Sequence, residues 1–197
     1  LLDCVQTMPF RTGDTLFMSD GIFDPKAPNT RPDMITSAKG NGGGLPFAFL
    51  AVRTKLLQGI PPERLGKDYD TYGRTLEGSL AFLKVMDILR KPEVQEGIRK
   101  NGQQLGNALY EIQDEFQHKV VNRRGEEFPG HGFMQRLELC SAADVAAFKK
   151  IGLQETGLVV ASGGVRGNIL RLGFPIDSTQ EIVEEGIRKI RKTLDRI

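Results

Sequence analysis

The stretch MITSAKGNGGGLP, residues 34–46, holds one lysine, Lys39, and then four glycines, Gly40, Gly42, Gly43 and Gly44, interrupted only by Asn41. A glycine loses more backbone freedom on folding than any other residue, so packing alone does not account for the run. Upstream, DMITSA (33–38) is short and partly β-branched and predicts a strand. Downstream, PFAFLAVRTKLLQG (46–59) fits a short buried strand or a helix, which periodicity cannot separate. A strand that ends in a lysine and runs into glycines suits several chemistries. Phosphate binding is one, yet the lysine precedes the glycines and no Gly-Lys-Ser/Thr is present, so the pattern is not a P-loop; nor is it G-x-G-x-x-G. Covalent catalysis by the amine is a second. It is favoured where burial at a strand end lowers the pKa of the ammonium and frees the nucleophile. A surface lysine beside a flexible turn is the third, and the motif by itself does not choose.

On the N-terminal side, LLDCVQTMPF opens without an initiator methionine, and LLD reads as the end of a strand already in progress. We expect a chain that has lost an N-terminal part. The opening shows no basic leader and no small-residue cleavage pattern. Residues 1–33 are expected to be loop-rich, since FDPKAPNTRPD is punctuated by three prolines. On the C-terminal side, helix is predicted from about Leu76, with Leu80, Leu83, Val85, Met86 and Leu89 on a broad apolar face. Pro92 suits the first turn of a long helix to about Phe116. Its stripe of Val94, Ile98, Leu105, Leu109, Ile112 and Phe116 is read as core.

After HKVVNRRGEEFPGHG (118–132) the style changes. FMQRLELC (133–140) alternates like a half-buried strand, and GLVVAS (157–162) and NILRLGF (168–174) read as two more. Ser141 with Asp144 forms a capping-box-like helix start. Ser178 with Glu181 repeats the signature and opens a last helix with Ile182, Ile187, Ile190 and Leu194 on its apolar side. Residues from about 118 to the end are therefore expected to form a small α+β domain.

Composition bounds the function. The 197 residues are enough for a real core, with 39% hydrophobic and 26% charged residues and a net charge of +2. That balance gives no push toward nucleic acid, and no basic run is interleaved with aromatics. The longest apolar run, LPFAFLAV, is far short of the roughly 20 residues a membrane span needs. Cys4 and Cys140 are far apart and follow no metal spacing, which predicts a reduced, cytoplasmic protein. His118 and His131 flank a polar loop and are read as solvated.

Four segments, taken in order, carry a resemblance. They are LLDCVQTMPFRTG with Asp3, Val5, Gln6, Thr7 and Arg11-Thr12-Gly13; PDMITSAKGNGGGLP with Pro32-Asp33 and Lys39; DTYGRTLEGSLAFLKVMDIL with Thr71 and Asp87; and GNILRLGFPI with Arg171 before a proline. Together they resemble the class III (ornithine/GABA-type) pyridoxal-phosphate-dependent aminotransferases over nearly the whole chain. The resemblance implies an α/β fold: the C-terminal half of a fold-type I PLP-transferase large domain plus a small α+β C-terminal domain. Residues 1–90 would belong to the cofactor-binding domain, 91–117 to a linking helix and 118–197 to the small domain.

The resemblance also implies roles. Lys39 would hold pyridoxal 5'-phosphate as an internal aldimine and later move the proton between the substrate and the cofactor. Asp3 would pair with the pyridine nitrogen, Val5 would pack on the ring and Gln6 would reach the ring hydroxyl. Thr71 would bond the cofactor phosphate, in the family from the partner subunit, which implies a homodimer. Arg171 would grip a substrate carboxylate as a bidentate fork. Each has a plain alternative: a turn former for Asp3, a helix cap for Thr71, a solvent-facing strand arginine for Arg171.

Departures stand beside these matches: Cys4 where the family usually has Glu, Met8-Pro9-Phe10 for Gly-Phe-Gly, Thr75-Leu76 for Asn-Pro, and Asn41 for an aliphatic residue. The family's phosphate cradle and ring-stacking aromatic lie N-terminal to the strand where this chain starts, so a partner or second chain is expected to cover the remaining sheet edge. The expected function is transfer of an amino group from an amino acid, one with a terminal amine, to a 2-oxo acid. The alternatives are a mutase or decarboxylase of the same fold, or an inactive truncated chain with a binding role.

Overall fold

The computed structural model describes residues 1–12, 16, 31–64, 75–121 and 130–197. They divide into two compact units. One takes in Leu1–Phe10 and Asp14–Gln95, the other Arg11–Gly13 and Glu96–Ile197.

The first unit is built on a three-stranded sheet of β1 (Leu2–Asp3), β2 (Met34–Ser37) and β3 (Phe49–Val52), in that order. β1 runs parallel to β2, with Leu2 opposite Ile35 and Asp3 opposite Thr36. β3 returns antiparallel, with Ser37 opposite Phe49. The ambiguous run after the glycines is thus both things in succession, a strand and then the short helix α1 (Thr54–Leu57). Asp33 anchors the start of β2. Its carboxyl is held below the usual range by a hydrogen bond from Lys55 and by the charges of Lys55 and Arg53.

Helix α2 (Leu76–Leu89) begins where the sequence predicts. Phe82 on α2 stacks on Phe47 at 4.6 Å between ring centroids, and Phe49 joins them at 5.8 Å from Phe82. The expected apolar face is only half covered, however. Met86 and Leu89 are buried, whereas Leu80 and Leu83 are 56% and 58% exposed. No described segment of this unit is layered over them.

The second unit holds most of helix α3 (Pro92–Glu115) and a four-stranded antiparallel sheet. The strands are β4 (Gly130–His131), β5 (Met134–Glu138), β6 (Ala161–Gly163) and β7 (Ile169–Leu172), ordered β4-β5-β7-β6. Most of the predicted α3 stripe is core: Ile98, Leu105, Leu109, Ile112 and Phe116 are buried, while Val94 in the first turn is only half-buried. Leu137, Leu139, Leu170 and Leu172 meet it from the alternating inward positions of β5 and β7 and the residue that follows β5.

Helix α4 (Ala142–Ile151) is capped as expected, with Ser141 Oγ accepting from the Asp144 backbone N–H at 3.1 Å. Helix α5 (Gln180–Leu194) is not. Its N-cap residue is Thr179, one position later than the pattern suggested. The Ser178 carbonyl instead accepts from Asn101 Nδ2 at 2.8 Å, a contact 77 residues distant. The Thr179 hydroxyl holds the Glu181 carboxyl below its ordinary range. GLVVAS also shifts. Only Ala161–Gly163 joins the ladder, because α4 runs on through a π-helical turn, Gly152–Thr156, that Leu158 N–H closes onto the Gly152 carbonyl at 2.8 Å. Among the described residues no helix is long and apolar enough to cross a membrane.

Candidate active site

In the first unit, Asp3 ends β1 and Lys39 follows β2 by two residues. Because these strands are parallel neighbours, acid and amine leave the sheet at the same carboxyl edge. That edge is where open α/β sheets place their ligands. Three further residues fasten it. The Cys4 carbonyl accepts from Ser37 Oγ at 3.2 Å and from the Thr7 and Met8 backbone N–H groups at 3.2 and 3.1 Å. Ser37 Oγ in turn accepts from Asn41 Nδ2 at 2.6 Å. Asn41 is fully buried, so the residue that departs from the family pattern in the glycine run ties the lysine's turn to both strands.

Lys39 opens a 3-10 turn, Lys39–Gly42, with its backbone in the left-handed region at φ +55°. Non-glycine residues rarely sit there, and positions that do are over-represented where geometry serves a site. Gly43 closes the turn at φ +57°, which a glycine accepts freely. Gly42 has another reason. A Cβ there would stand 3.0 Å from Phe47 Cβ. Lys39 is exposed in this chain, so the burial that would free such an amine is not provided by these residues.

Asp3 is exposed, and its Oδ1 accepts from the Val5 N–H at 2.9 Å, the turn-forming contact foreseen as its plain role. Val5 and Gln6 are half-buried in the same turn region. Two polar atoms near this edge are buried without a hydrogen-bond partner, Thr7 Oγ1 and Asn41 Oδ1. Thr71 lies outside the described residues. His118 and His131 are both exposed.

Arg171 belongs to the second unit, on β7. It is exposed, its stem lying against Gly163, where a Cβ would come within 3.1 Å of Arg171 Cδ. Arg11 lies beside it. Its Nη2 donates to the Phe174 carbonyl at 3.0 Å, and burial, then the charge of Arg171, lowers its pKa. Arg11 was visible in the sequence as part of a motif but not as a charge neighbour of Arg171. The contact crosses 160 residues of chain, and nothing local announces it. The Ser37–Asn41 bond does have a local trace, a four-residue spacing, but its link to Cys4 has none.

The architecture is that of the aminotransferase fold. An aminotransferase from Bacillus anthracis superimposes with a TM-score of 0.81 over 99% of this chain and 44% of its own, at 23% identity. The model of the family Aminotransferase class-III matches residues 1–194, and the chain belongs to that family. Among curated relatives, the 5-aminovalerate aminotransferase of Pseudomonas aeruginosa is 28% identical over 204 aligned positions, covering all of this chain and 44% of the relative. The acetylornithine aminotransferase of Caldanaerobacter subterraneus is 29% identical, covering all of this chain and 45% of the relative. The chain thus spans less than half the length of these relatives. The cofactor of the family is pyridoxal 5'-phosphate, and its substrates are amino and oxo acids.

Proposed function

We propose that this chain contributes the lysine, the acid and the carboxylate-binding arginine to an aminotransferase that moves an amino group from an amino acid to a 2-oxo acid. The observation that carries the reading is the emergence of Asp3 and Lys39 at one edge of a parallel strand pair. The residues present fit pyridoxal phosphate: an exposed amine on a constrained turn, a carboxylate on the adjacent strand end, and unpartnered polar atoms of Thr7 and Asn41 nearby. Bound there, the cofactor supplies an electron sink for negative charge at the substrate Cα.

The chain's own residues do the rest. Lys39 would hold the cofactor through its amine, and that amine, when free, would carry the substrate proton as base and then acid. Asp3, acceptor-only when ionised, holds a proton on the ring nitrogen. Val5 would pack on the ring and Gln6 would reach its hydroxyl. Thr71 is assigned to the phosphate, and Arg171 to the substrate carboxylate. An amino donor with a terminal amine fits the names of the relatives. Both cysteines are free, which supports a reducing, cytoplasmic setting. A homodimer is supported by the exposed apolar stripe on α2.

Incubation with pyridoxal phosphate, borohydride reduction and peptide mass mapping test the assignment. The expected result is one adduct, on Lys39, absent from Lys39→Ala. An adduct of equal yield in Lys39→Ala, or none in the parent chain, overturns it.

A further inference from the structure

Asn41 is fully buried, and Ser37, which it bonds, is 2% exposed. A polar pair in such a place carries a desolvation cost that apolar side chains would not. Part of that cost is not recovered, since Asn41 Oδ1 has no hydrogen-bond partner. The position of the pair shows what it holds. Asn41 follows Lys39 by two residues and makes two bonds back across it. Its backbone N–H donates to the Ala38 carbonyl at 3.4 Å, and its Nδ2 donates to Ser37 Oγ at 2.6 Å. Both bonds enclose the left-handed Lys39 backbone. Ser37 Oγ passes the constraint on, donating to the Cys4 carbonyl at 3.2 Å, one residue beyond Asp3. The Cys4 N–H donates to the Thr36 carbonyl at 2.8 Å, so both backbone groups of Cys4 are tied to β2. Apolar packing is non-directional, whereas a buried hydrogen bond admits a narrow range of arrangements of its two ends.

We propose that Asn41 is a positioning residue: through Ser37 and the Cys4 carbonyl it fixes the Lys39 turn relative to the strand end that carries Asp3. The acid and the amine leave the sheet on parallel neighbours. Groups on two separate strand ends keep a constant separation only where those ends are tied. A rigid ring that offers a basic nitrogen to Asp3 and an aldehyde to Lys39 engages both at once and is sensitive to that separation. A plain aldehyde engages the amine alone and is not. The role of such a ring as cofactor rests on the aminotransferase reading above; the clamp itself does not.

Two measurements on the chain test the clamp. In the first, backbone hydrogen exchange over residues 34–46 is followed with no ligand present. Asn41→Ala and Ser37→Ala, which break the same bond from its two ends, are each expected to speed exchange in this stretch by about fivefold or more, with α3 unchanged. In the second, Lys39 is alkylated under borohydride with pyridoxal phosphate and, separately, with propanal. In either variant the Lys39 yield with pyridoxal phosphate should fall about tenfold relative to propanal, and the double variant should fall no further. Ser37→Ala carries both measurements if Asn41→Ala fails to fold by circular dichroism. Unchanged exchange in both variants, or an equal loss with the two aldehydes, overturns the proposal. Faster exchange in the variants of a chain that takes no pyridoxal phosphate on Lys39 supports the clamp and removes the aminotransferase reading. An adduct that survives both substitutions at the parent's yield does the reverse.

Discussion

Lys39 sits at φ +55° although three of its near neighbours are glycines that could have taken that position freely. A lysine held in this region costs on the order of 1 kcal/mol or more. The turn bonds from Gly43 N–H to the Gly40 carbonyl at 3.2 Å and the buried Asn41–Ser37 bond hold it there. Removing the strain should therefore be tolerated by the fold. Lys39→Gly is expected to leave the unfolding free energy from urea titration unchanged or raise it by up to ~1 kcal/mol, with covalent trapping abolished. Lys39→Val, β-branched at a positive φ, should fall below Lys39→Gly by ~1–2 kcal/mol. Equal midpoints for the two variants would show that the left-handed backbone at this position carries no strain.

At the scale of elements, helix α3 separates two kinds of glycine. Gly102 lies where the helix meets the backbone of Gly132, and a Cβ would stand 2.7 Å from Gly132 Cα. Gly97, one and a half turns earlier, has nothing within 4 Å. Ala is the better helix former by up to ~1 kcal/mol, so Gly97→Ala should raise the unfolding free energy by roughly 0.5–1 kcal/mol. Gly102→Ala gains the same propensity but forces backbone apart, and should lower stability by about 1–3 kcal/mol. If both variants shift alike, the close approach of α3 to residue 132 is wrong.

The same scale shows what can be read from sequence. The α3 stripe was legible because its positions from Ile98 to Phe116 are buried at helical spacing, although Val94 at its start is only half-buried. The Ser141 cap was legible because its partner, Asp144, is three residues away. Ser178 misled because its carbonyl is taken by Asn101, 77 residues off. GLVVAS has the β-branched composition of a strand, yet Val159 is 79% exposed and the ladder begins only at Ala161. Composition there competes with a helix end that propensity does not see. In the site, Lys39, Asp3 and Arg171 stood out through the family pattern. Arg11 and Asn41 were visible there only as a motif member and a departure, since what they do lies in long-range and buried contacts.

At the scale of the whole molecule, the decisive feature is apolar surface left uncovered. Leu76, Leu80 and Leu83 are 68%, 56% and 58% exposed and spaced four and three apart, so they share one face of α2. Leu50 on the sheet is 55% exposed as well. Scattered leucines on a surface need no explanation, but a stripe along one helix marks an interaction face. A second copy of the chain is the occupant that fits the proposed dimer. Burying each leucine fully contributes at most about 1.5–3 kcal/mol, and association itself costs about 4–15 kcal/mol, so the stripe would contribute to a larger contact between copies. Glutamate keeps the helix, being nearly as good a helix former as leucine, but a carboxylate cannot be buried unpaired. Leu80→Glu combined with Leu83→Glu should therefore leave the helical circular dichroism intact and shift sedimentation from dimer to monomer. A parent chain that already sediments as a monomer at tens of micromolar, or a variant that remains a dimer, would show that this face is not the contact between copies.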